Sequence, residues 1–292
     1  MRIVLLIVAN LAVTLILGAV FLGLEMAGIL PRGQWGHLFA YSTVFGFGGA
    51  FVSLLLSKMI AKWSLGVHVI ENPMNPHEQW LVETVRRHAT RAGIDMPEVG
   101  IFDSPDPNAF ATGPTANSSL VAVSTGLLNM MHPEQVSAVL GHEVSHAANG
   151  DMVTLTLLQG VLNTFVIFFS RVVGFAVDRA LSRGEGENSR RGGGIGYVIT
   201  VMIAQFVLGL GASMVVAWFS RYREFRADEG GAMLTSRRDM ASALDSLRRV
   251  QMEDGMPEGM RAFGIRGGDI AKLFASHPPL EERIARLVGG HG

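Results

Sequence analysis

The chain of 292 residues contains no cysteine. This excludes a cysteine nucleophile, a thiolate metal site and a disulfide framework, so any metal must be bound by histidine and carboxylate. Charged residues are also scarce, at 17% of the chain, whereas a typical soluble domain has about a quarter. The net charge of −1 provides no global basic field, and we therefore expect no binding to nucleic acid.

Four runs of 19 to 29 residues lack Asp, Glu, Lys, Arg and His altogether: residues 3–24, 38–57, 152–170 and 192–220. Because about 20 apolar residues in a helix cross the hydrocarbon core, each run is long enough to span a membrane. The first run exceeds the apolar core of a signal peptide and no A-x-A site follows it, which favours a retained anchor. The alternative is a buried helix of a large soluble core, and it has more weight for the last two runs because they contain more Gly, Thr, Asn and Gln.

The polar segments predict a chain in four parts. A transmembrane hairpin at 1–62, with a loop around 25–37, precedes the first part of a catalytic domain at 63–151. Two further apolar helices at 152–220 enclose a linker at 178–193, and 221–292 complete the catalytic domain. Short strands are expected at 98–102, 108–112 and 118–124, between segments rich in Pro, Asp, Asn and Gly. Helices are expected at 77–92, 221–234, 237–252 and 271–288, the last broken by a Pro–Pro pair.

The motif HEVSH at residues 142–146 has the spacing of a metal-binding helix. Positions i and i+4 share a helix face, so both imidazoles can reach one cation while Glu143 addresses a water in the open coordination position. Pro133 suits a first helical position and Gly150 suits the residue after the last turn, which predicts a helix over 133–149. Imidazole with carboxylate favours one Zn²⁺ per chain.

A third ligand must lie downstream of this motif. The H-E-x-x-H-x-x-G-x-x-H pattern would require Gly at 149 and His at 152, but the chain has Asn149 and Met152. The remaining candidate for the third ligand is a carboxylate on a separate helix. Glu224 is predicted to be this ligand, and Asp228 is predicted to accept a hydrogen bond that orients a ligand histidine. The alternative is an ordinary charged helix with Arg–Glu pairs. The predicted metal ligands are His142, His146 and Glu224.

Seven segments together resemble one known family: RIVLLIVANLAV at 2–13, FGFGGAFVSLLLSK at 45–58, NAFATG at 108–113, LVAVSTGLL at 120–128, HEVSHAANGDMV at 142–153, SRYREFRAD at 220–228 and SHPPLEERI at 276–284. They resemble HtpX, the family of bacterial heat-shock membrane metalloproteases, which is related to the eukaryotic CAAX prenyl endopeptidases. The resemblance implies the same three zinc ligands, with Glu143 as general base. It also implies the cytoplasmic (inner) membrane of a Gram-negative-type bacterium, a catalytic domain facing the cytosol, and quality control of damaged membrane proteins.

Several residues are candidates for supporting roles. His277, which a Pro–Pro pair follows, is predicted to stabilise the oxyanion, and the alternative is that it caps the next helix. Tyr222 is a weaker candidate for the same role. Asn149 is predicted to support the metal site from the helix end, together with Asp151, or else both simply end the helix. The strands at 108–112 and 118–124 are candidates for a free edge that pairs with an extended substrate. The alternative, ordinary packing within the sheet, is favoured for most of their residues.

The sequence therefore predicts a mainly α, polytopic membrane protein whose zincin-like catalytic domain carries a small β-sheet. The expected function is zinc-dependent cleavage of misfolded or damaged membrane proteins by a Glu-zincin, with protein substrates and the lipid bilayer as partners. The alternative is a membrane holdase or assembly factor with a non-catalytic metal site. Lys58 and Lys62 favour a cytosolic catalytic domain, whereas the arginines of the 178–193 linker oppose it if both last runs span.

Overall fold

The computed structural model describes residues 35–181, 195–253 and 277–289. Its elements, in chain order, are α1 (Trp35–Leu65), β1 (His68–Val69), α2 (Pro76–Ala92), β2 (Glu98–Phe102), β3 (Ala109–Thr115), β4 (Ser118–Ser124), α3 (Thr125–Met130), α4 (Pro133–Asn149), α5 (Asp151–Leu181), α6 (Ile195–Leu234), α7 (Arg237–Glu253) and α8 (Leu280–Val288). The predicted fold class, mainly α with a small sheet, is confirmed. The predicted anchor at 3–24, most of the linker and the first part of the last predicted helix lie outside the described residues.

The sheet is mixed and has the strand order β1-β2-β4-β3. Strand β4 runs parallel to β2 and antiparallel to β3, so it is interior, and the expectation that 118–124 offers a free edge is wrong. Residues 120–123 are all buried apolar side chains without alternation, which is the pattern of a strand covered on both faces. Among the described strands, β3 is an edge and extends to Thr115, beyond the predicted 112. The short strand β1 was not predicted.

The main core lies between the sheet and the helices α2, α4 and α7. Its most buried members come from each of these elements: Leu81, Val85, Val121, Val123, Leu140, Val144, Met240 and Leu244. Fully burying a side chain of this size contributes about 1.5–3 kcal/mol. One face of α4 is thus fixed in the core.

Three described helices are long and apolar enough to cross a membrane: Gly36–Leu65, Asp151–Ala180 and Ile195–Leu234. Helix α1 begins at Trp35, so the last residues of the predicted 25–37 loop are helical. Helix α6 is continuous over 40 residues and joins the fourth apolar run to the predicted 221–234 helix. Many of its large apolar side chains, including Phe206 and Ile203, are exposed, as lipid-facing positions are.

The chain divides into two compact units. One takes residues up to 52 and residues 154–216, and the other takes residues 53–153 and those from 217 onward. Within the first unit, α1 and α5 approach closely, since a Cβ at Gly46 would lie 2.3 Å from Thr164 Oγ1. The second unit contains the sheet and every predicted metal-site residue.

Candidate metal centre

Helix α4 presents His142 and His146 on one face, one turn apart. Pro133 lies in its first turn, and Gly150 ends it in the left-handed conformation at φ 66°, which a residue with a Cβ adopts at a cost. The two imidazole rings are nearly perpendicular, with centroids 4.6 Å apart. Both the helix and the side-chain spacing predicted from the HEVSH motif are present.

Small residues bring α6 against α4. A Cβ at Gly230 would lie 2.4 Å from Ser145 Oγ, and one at Gly231 would lie 3.0 Å from the backbone nitrogen of His142. No larger side chain fits at Gly230 unless one of the helices shifts. This contact places Glu224, less than two turns earlier on α6, beside the two histidines.

The three predicted ligands converge. His142 Nε2 and His146 Nε2 are 3.1 Å apart, Glu224 Oε1 lies 3.3 Å from His146 Nε2, and Glu224 Oε2 lies 3.5 Å from His142 Nε2. Ligands bound at about 2.0–2.1 Å to a tetrahedral zinc ion lie about 3.3 Å from one another. The donor types and their separations therefore fit a zinc ion.

A carboxylate holds the other nitrogen of each histidine. Asp228 Oδ1 lies 3.0 Å from His142 Nδ1, and Asp151 Oδ2 lies 2.6 Å from His146 Nδ1. The His146 contact is a hydrogen bond and the His142 contact is an ion-pair approach. With the Nδ1 proton next to a carboxylate, each ring keeps its Nε2 lone pair for a cation. Asp228 thus lies where the sequence predicted it. Asn149 ends α4 and is half-buried, and the carboxylate beside His146 belongs to Asp151.

Two buried arginines neutralise this carboxylate cluster. Arg283 donates from Nε to Asp228 Oδ2 at 2.8 Å and from Nη2 to Oδ1 at 2.6 Å, and its Nη1 lies 3.1 Å from Glu224 Oε2. Burial alone would lower the pKa of Arg283, but the bonds to Asp228 outweigh it and raise the pKa, so the guanidinium remains charged. Arg223 forms an ion pair with the Asp151 carboxylate and donates to the Asp151 carbonyl.

Sequence reasoning missed both arginine roles. For Arg283 a signal exists, because it shares the buried face of α8 with Leu280 and Leu287 at helical spacing. An arginine on the apolar face of an amphipathic helix requires a buried anionic partner. For Arg223 the sequence holds no comparable signal. Three arginines occur within residues 221–226 of the same helix, and no local pattern shows which of them is buried.

Glu143 lies beside the ligands and borders the cleft described below. Its carboxylate accepts a hydrogen bond from the backbone N–H of Ala111 on β3. Burial raises the pKa of Glu143, although the two neighbouring histidines and this hydrogen bond act to lower it. A carboxylate with a raised pKa suits a general base near neutral pH. Burial has the opposite effect on a histidine and would lower the pKa of His142. The neighbouring carboxylates of Asp228 and Glu224 outweigh burial and raise this pKa.

His277 comes to the ligand carboxylate rather than to a helix end. Its Nδ1 lies 2.9 Å from Glu224 Oε2, and its side chain is 64% exposed. Because Nδ1 lies against Glu224, Nε2 is the ring nitrogen that remains as a candidate donor to a substrate. Helix α8 begins after Pro279 without a side-chain cap, so the capping alternative for His277 is wrong. Tyr222 is exposed and lies in the cleft wall.

A cleft of about 1040 Å³ opens at these residues. His142, Glu143, Glu224 and His277 line it, as do apolar side chains of α3, α4, α6 and α7. Its volume is at the upper end of the range of about 300–1,000 Å³ for small-molecule pockets. The cleft therefore has room for a chain segment beside the metal ligands.

Three comparisons bear on this site. The profile of Peptidase family M48 matches residues 75–290. The chain is 55% identical to Protease HtpX of Thioalkalivibrio sulfidiphilus over 98% of both chains, and 55% identical to the Protease HtpX homolog of Paracidovorax citrulli over 100% of this chain and 99% of that one. The crystal structure of S. mikatae Ste24p superposes with a TM-score of 0.61 at 18% identity, covering 97% of this chain and 67% of that chain; this likeness concerns the fold alone.

Proposed function

Because the chain belongs to peptidase family M48 and is a multi-pass, membrane-bound metalloprotease, we propose that it is a zinc-dependent endopeptidase of the Glu-zincin type. His142, His146 and Glu224 are the ligands. The observation that carries the proposal is the convergence of two Nε2 atoms and one carboxylate within 4.8 Å of one another, with each Nδ1 held by an aspartate. Two imidazoles and a carboxylate, with the fourth position left for water, are the ligand set of many catalytic zinc sites.

Individual residues of the chain then have separate roles in the hydrolysis. When bound, the zinc ion supplies Lewis-acid polarisation of the scissile carbonyl and acidifies a water. Glu143 takes the proton of the attacking water and delivers it to the leaving amine. His277 donates a hydrogen bond from Nε2 to the oxygen that becomes negative as the water attacks, while Glu224 orients its ring through Nδ1.

The edge strand β3 binds an extended substrate. Ala109–Thr115 pairs on one side with β4, and the hydrogen bond from Ala111 to Glu143 brings this strand next to the general base. A peptide that adds to the other edge of β3, which pairs with no described strand, would be held mainly through main-chain hydrogen bonds. Such binding carries little side-chain information and suits an enzyme that cleaves many damaged proteins.

The substrates are misfolded or damaged membrane proteins, cleaved during quality control and stress response in the bacterial inner membrane. Three described helices of membrane-spanning length support a membrane location. Lys58 and Lys62, at the end of α1, support a cytosolic catalytic domain; both are paired with Glu98 at 2.8 and 2.5 Å. A compartment reporter fused within residues 184–193 tests the topology, since its signal is non-cytosolic if α5 and α6 both span and the catalytic domain is cytosolic.

The enzymatic proposal is tested on the full chain in detergent with casein as substrate. We expect cleavage with zinc, loss of cleavage with a chelator and recovery on adding zinc back. Glu143→Gln should reduce cleavage by about 10²–10⁴-fold while zinc remains bound, and Glu83→Gln, an exposed glutamate, is the matched control. Cleavage that persists without zinc, or full activity of Glu143→Gln, overturns the proposal. Binding of unfolded casein without cleavage would instead indicate a holdase.

A further inference from the structure

Trp218 and Tyr222 are large aromatic side chains that line the cleft while remaining 63% and 60% exposed. They lie four residues apart on α6 and therefore share one helix face. Phe225 continues the same stripe, but Arg286 covers it, with its guanidinium carbon 3.6 Å from the ring centroid. Both rings therefore present exposed apolar faces within the cleft that holds the metal ligands.

Apolar side chains also form much of the rest of the cleft: Leu247 and Leu280 are half-buried in its wall, and Leu127, Val139, Met240 and Leu244 belong to the buried core beneath it. Val139 lies one turn before Glu143 on α4. Met240 and His142 both pack against Gly231. A Cβ placed on Gly231 would lie 3.1 Å from the Met240 sulfur and 3.0 Å from the His142 backbone nitrogen. The apolar lining therefore begins directly beside the predicted metal ligands and general base.

We propose that Trp218 and Tyr222 bind a large apolar side chain of the substrate next to the scissile bond. The enzyme thereby selects extended segments rich in Leu, Ile, Phe or Met, which an unfolded transmembrane helix exposes. This inference rests on the proposed endopeptidase function and adds a substrate class to it.

The occupant is a peptide rather than a lipid because of what else lines the cleft. Glu143, Glu224 and His277 share it with the two rings, and an acyl chain would bury these polar groups without offering them any hydrogen bond. A peptide supplies amide groups for them and an apolar side chain for the rings. Tyrosine and tryptophan suit such a mixed surface, since each has a large apolar face and a polar group.

The first experiment is a cleavage profile of the zinc-loaded full chain in detergent. A mixture of proteome-derived peptides is digested, and the cleaved bonds are read by mass spectrometry. We expect large apolar residues to be enriched at one position flanking the cleaved bond. In Trp218→Ala and Tyr222→Ala this enrichment should fall, whereas Trp218→Phe and Tyr222→Phe should retain most of it because an aromatic face remains.

The second experiment measures kinetics on one peptide that carries the preferred residue. Trp218→Ala should raise KM about tenfold and change kcat far less, because the ring contacts the substrate and no reacting atom. For a peptide with serine at the preferred position, the same substitution should change KM less than threefold. Trp63→Ala is the matched control, since Trp63 is 87% exposed and lies outside the cleft lining.

The possible outcomes distinguish a failure of this inference from a failure of the proposed endopeptidase function. If the zinc-loaded protein cleaves no peptide, the proposed function fails. If it cleaves without apolar enrichment, or if Trp218→Ala and Tyr222→Ala leave the profile unchanged, only the inference fails. Loss of activity in Trp218→Ala that occurs in bilayer nanodiscs but not in detergent would identify Trp218 as a lipid anchor and also overturn it.

Discussion

Arg283 and Asp228 form a buried, bidentate pair behind the metal site. Arg283 Nε and Nη2 each donate to one oxygen of the carboxylate, at 2.8 and 2.6 Å. The oxygen that accepts from Nη2 also lies 3.0 Å from His142 Nδ1. Arg283 therefore holds the group that orients His142, and its Nη1 additionally reaches the ligand Glu224.

Replacing Arg283 with lysine should weaken zinc binding while preserving the charge. An ammonium group cannot reproduce the planar fork that contacts both carboxylates. Loss of such support typically costs about 10–100-fold in metal affinity, and we expect a decrease of that size in a chelator-competition titration. Arg249→Lys, at an exposed arginine paired with Asp245, is the control. Equal zinc affinity in the two variants would show that Asp228 needs no bidentate partner.

Replacing Asp151 with asparagine should weaken the hold on His146. An asparagine amide has nearly the shape of the Asp151 carboxylate but lacks its negative charge. That charge interacts with both His146 Nδ1–H and the Arg223 guanidinium. We expect zinc affinity to fall about 10–100-fold. Unfolding should also occur at a lower temperature, because Arg223 is left buried without its anionic partner.

The matched control for this prediction is Asp245→Asn. Asp245 also pairs with two arginines, but on the surface of α7, where such pairs contribute little to stability. Thermal unfolding and zinc titration of both variants give the comparison. The role assigned to Asp151 is untenable if the two variants behave alike in both measurements.

The close contact between α4 and α6 predicts opposite effects of two Gly→Ala substitutions on the same helix. At Gly230 the new methyl would lie 2.4 Å from Ser145 Oγ, and overpacking of this kind costs about 1–3 kcal/mol. It should also displace Glu224 from the histidines and weaken zinc binding. At Gly209 none of the described residues lies within 4 Å of the new methyl, so alanine should stabilise the helix by up to about 1 kcal/mol.

Unfolding temperature and zinc affinity, measured on Gly230→Ala and Gly209→Ala in the same detergent, check this prediction. A Gly230→Ala protein as stable as the Gly209→Ala protein would mean that the helices separate without cost. In that case helix packing does not explain how Glu224 reaches the histidines.

The parts of the site with local signals were predictable from sequence. Pro133 and Gly150 marked the ends of α4 because each has a backbone preference that needs no tertiary contact. Helical periodicity then placed His142 and His146 on one face. Because no third histidine stands at the position that a histidine ligand would require, a carboxylate was predicted as the third ligand. Glu224 does lie beside the two histidines.

Features that depend on distant contacts were not predictable in this way. Arg283 meets Asp228 across 55 residues of sequence, and Arg223 meets Asp151 across 72, so no local pattern reveals either pair. The interior position of β4 was missed, although its unbroken apolar run at 120–123 carried the signal. The two-residue strand β1 is too short for any periodicity.

His88 predicts how stability depends on pH. Its Nε2 lies 3.0 Å from the Ser137 carbonyl oxygen, while its buried Nδ1 has no hydrogen-bond partner among the described residues. Burial is the main reason that the pKa of His88 falls to about 4. Above pH 6.5 the ring is neutral in the folded and unfolded chain, so it adds no pH dependence there. Between pH 6.5 and 4 only the unfolded chain takes up the proton, and stability falls as the pH falls.

At pH 5 this loss amounts to about 2 kcal/mol, which corresponds to roughly 4–8 °C in unfolding temperature. His88→Gln keeps an N–H donor for Ser137 and cannot titrate, so it should lose less stability than the native protein between pH 7 and 5. His77→Gln, an exposed histidine on the same helix, should behave like the native protein. Acid release of zinc affects all three proteins equally, so the difference between them isolates His88. Parallel pH profiles of the native and His88→Gln proteins would mean that His88 is protonated in the fold, which requires an acceptor at Nδ1.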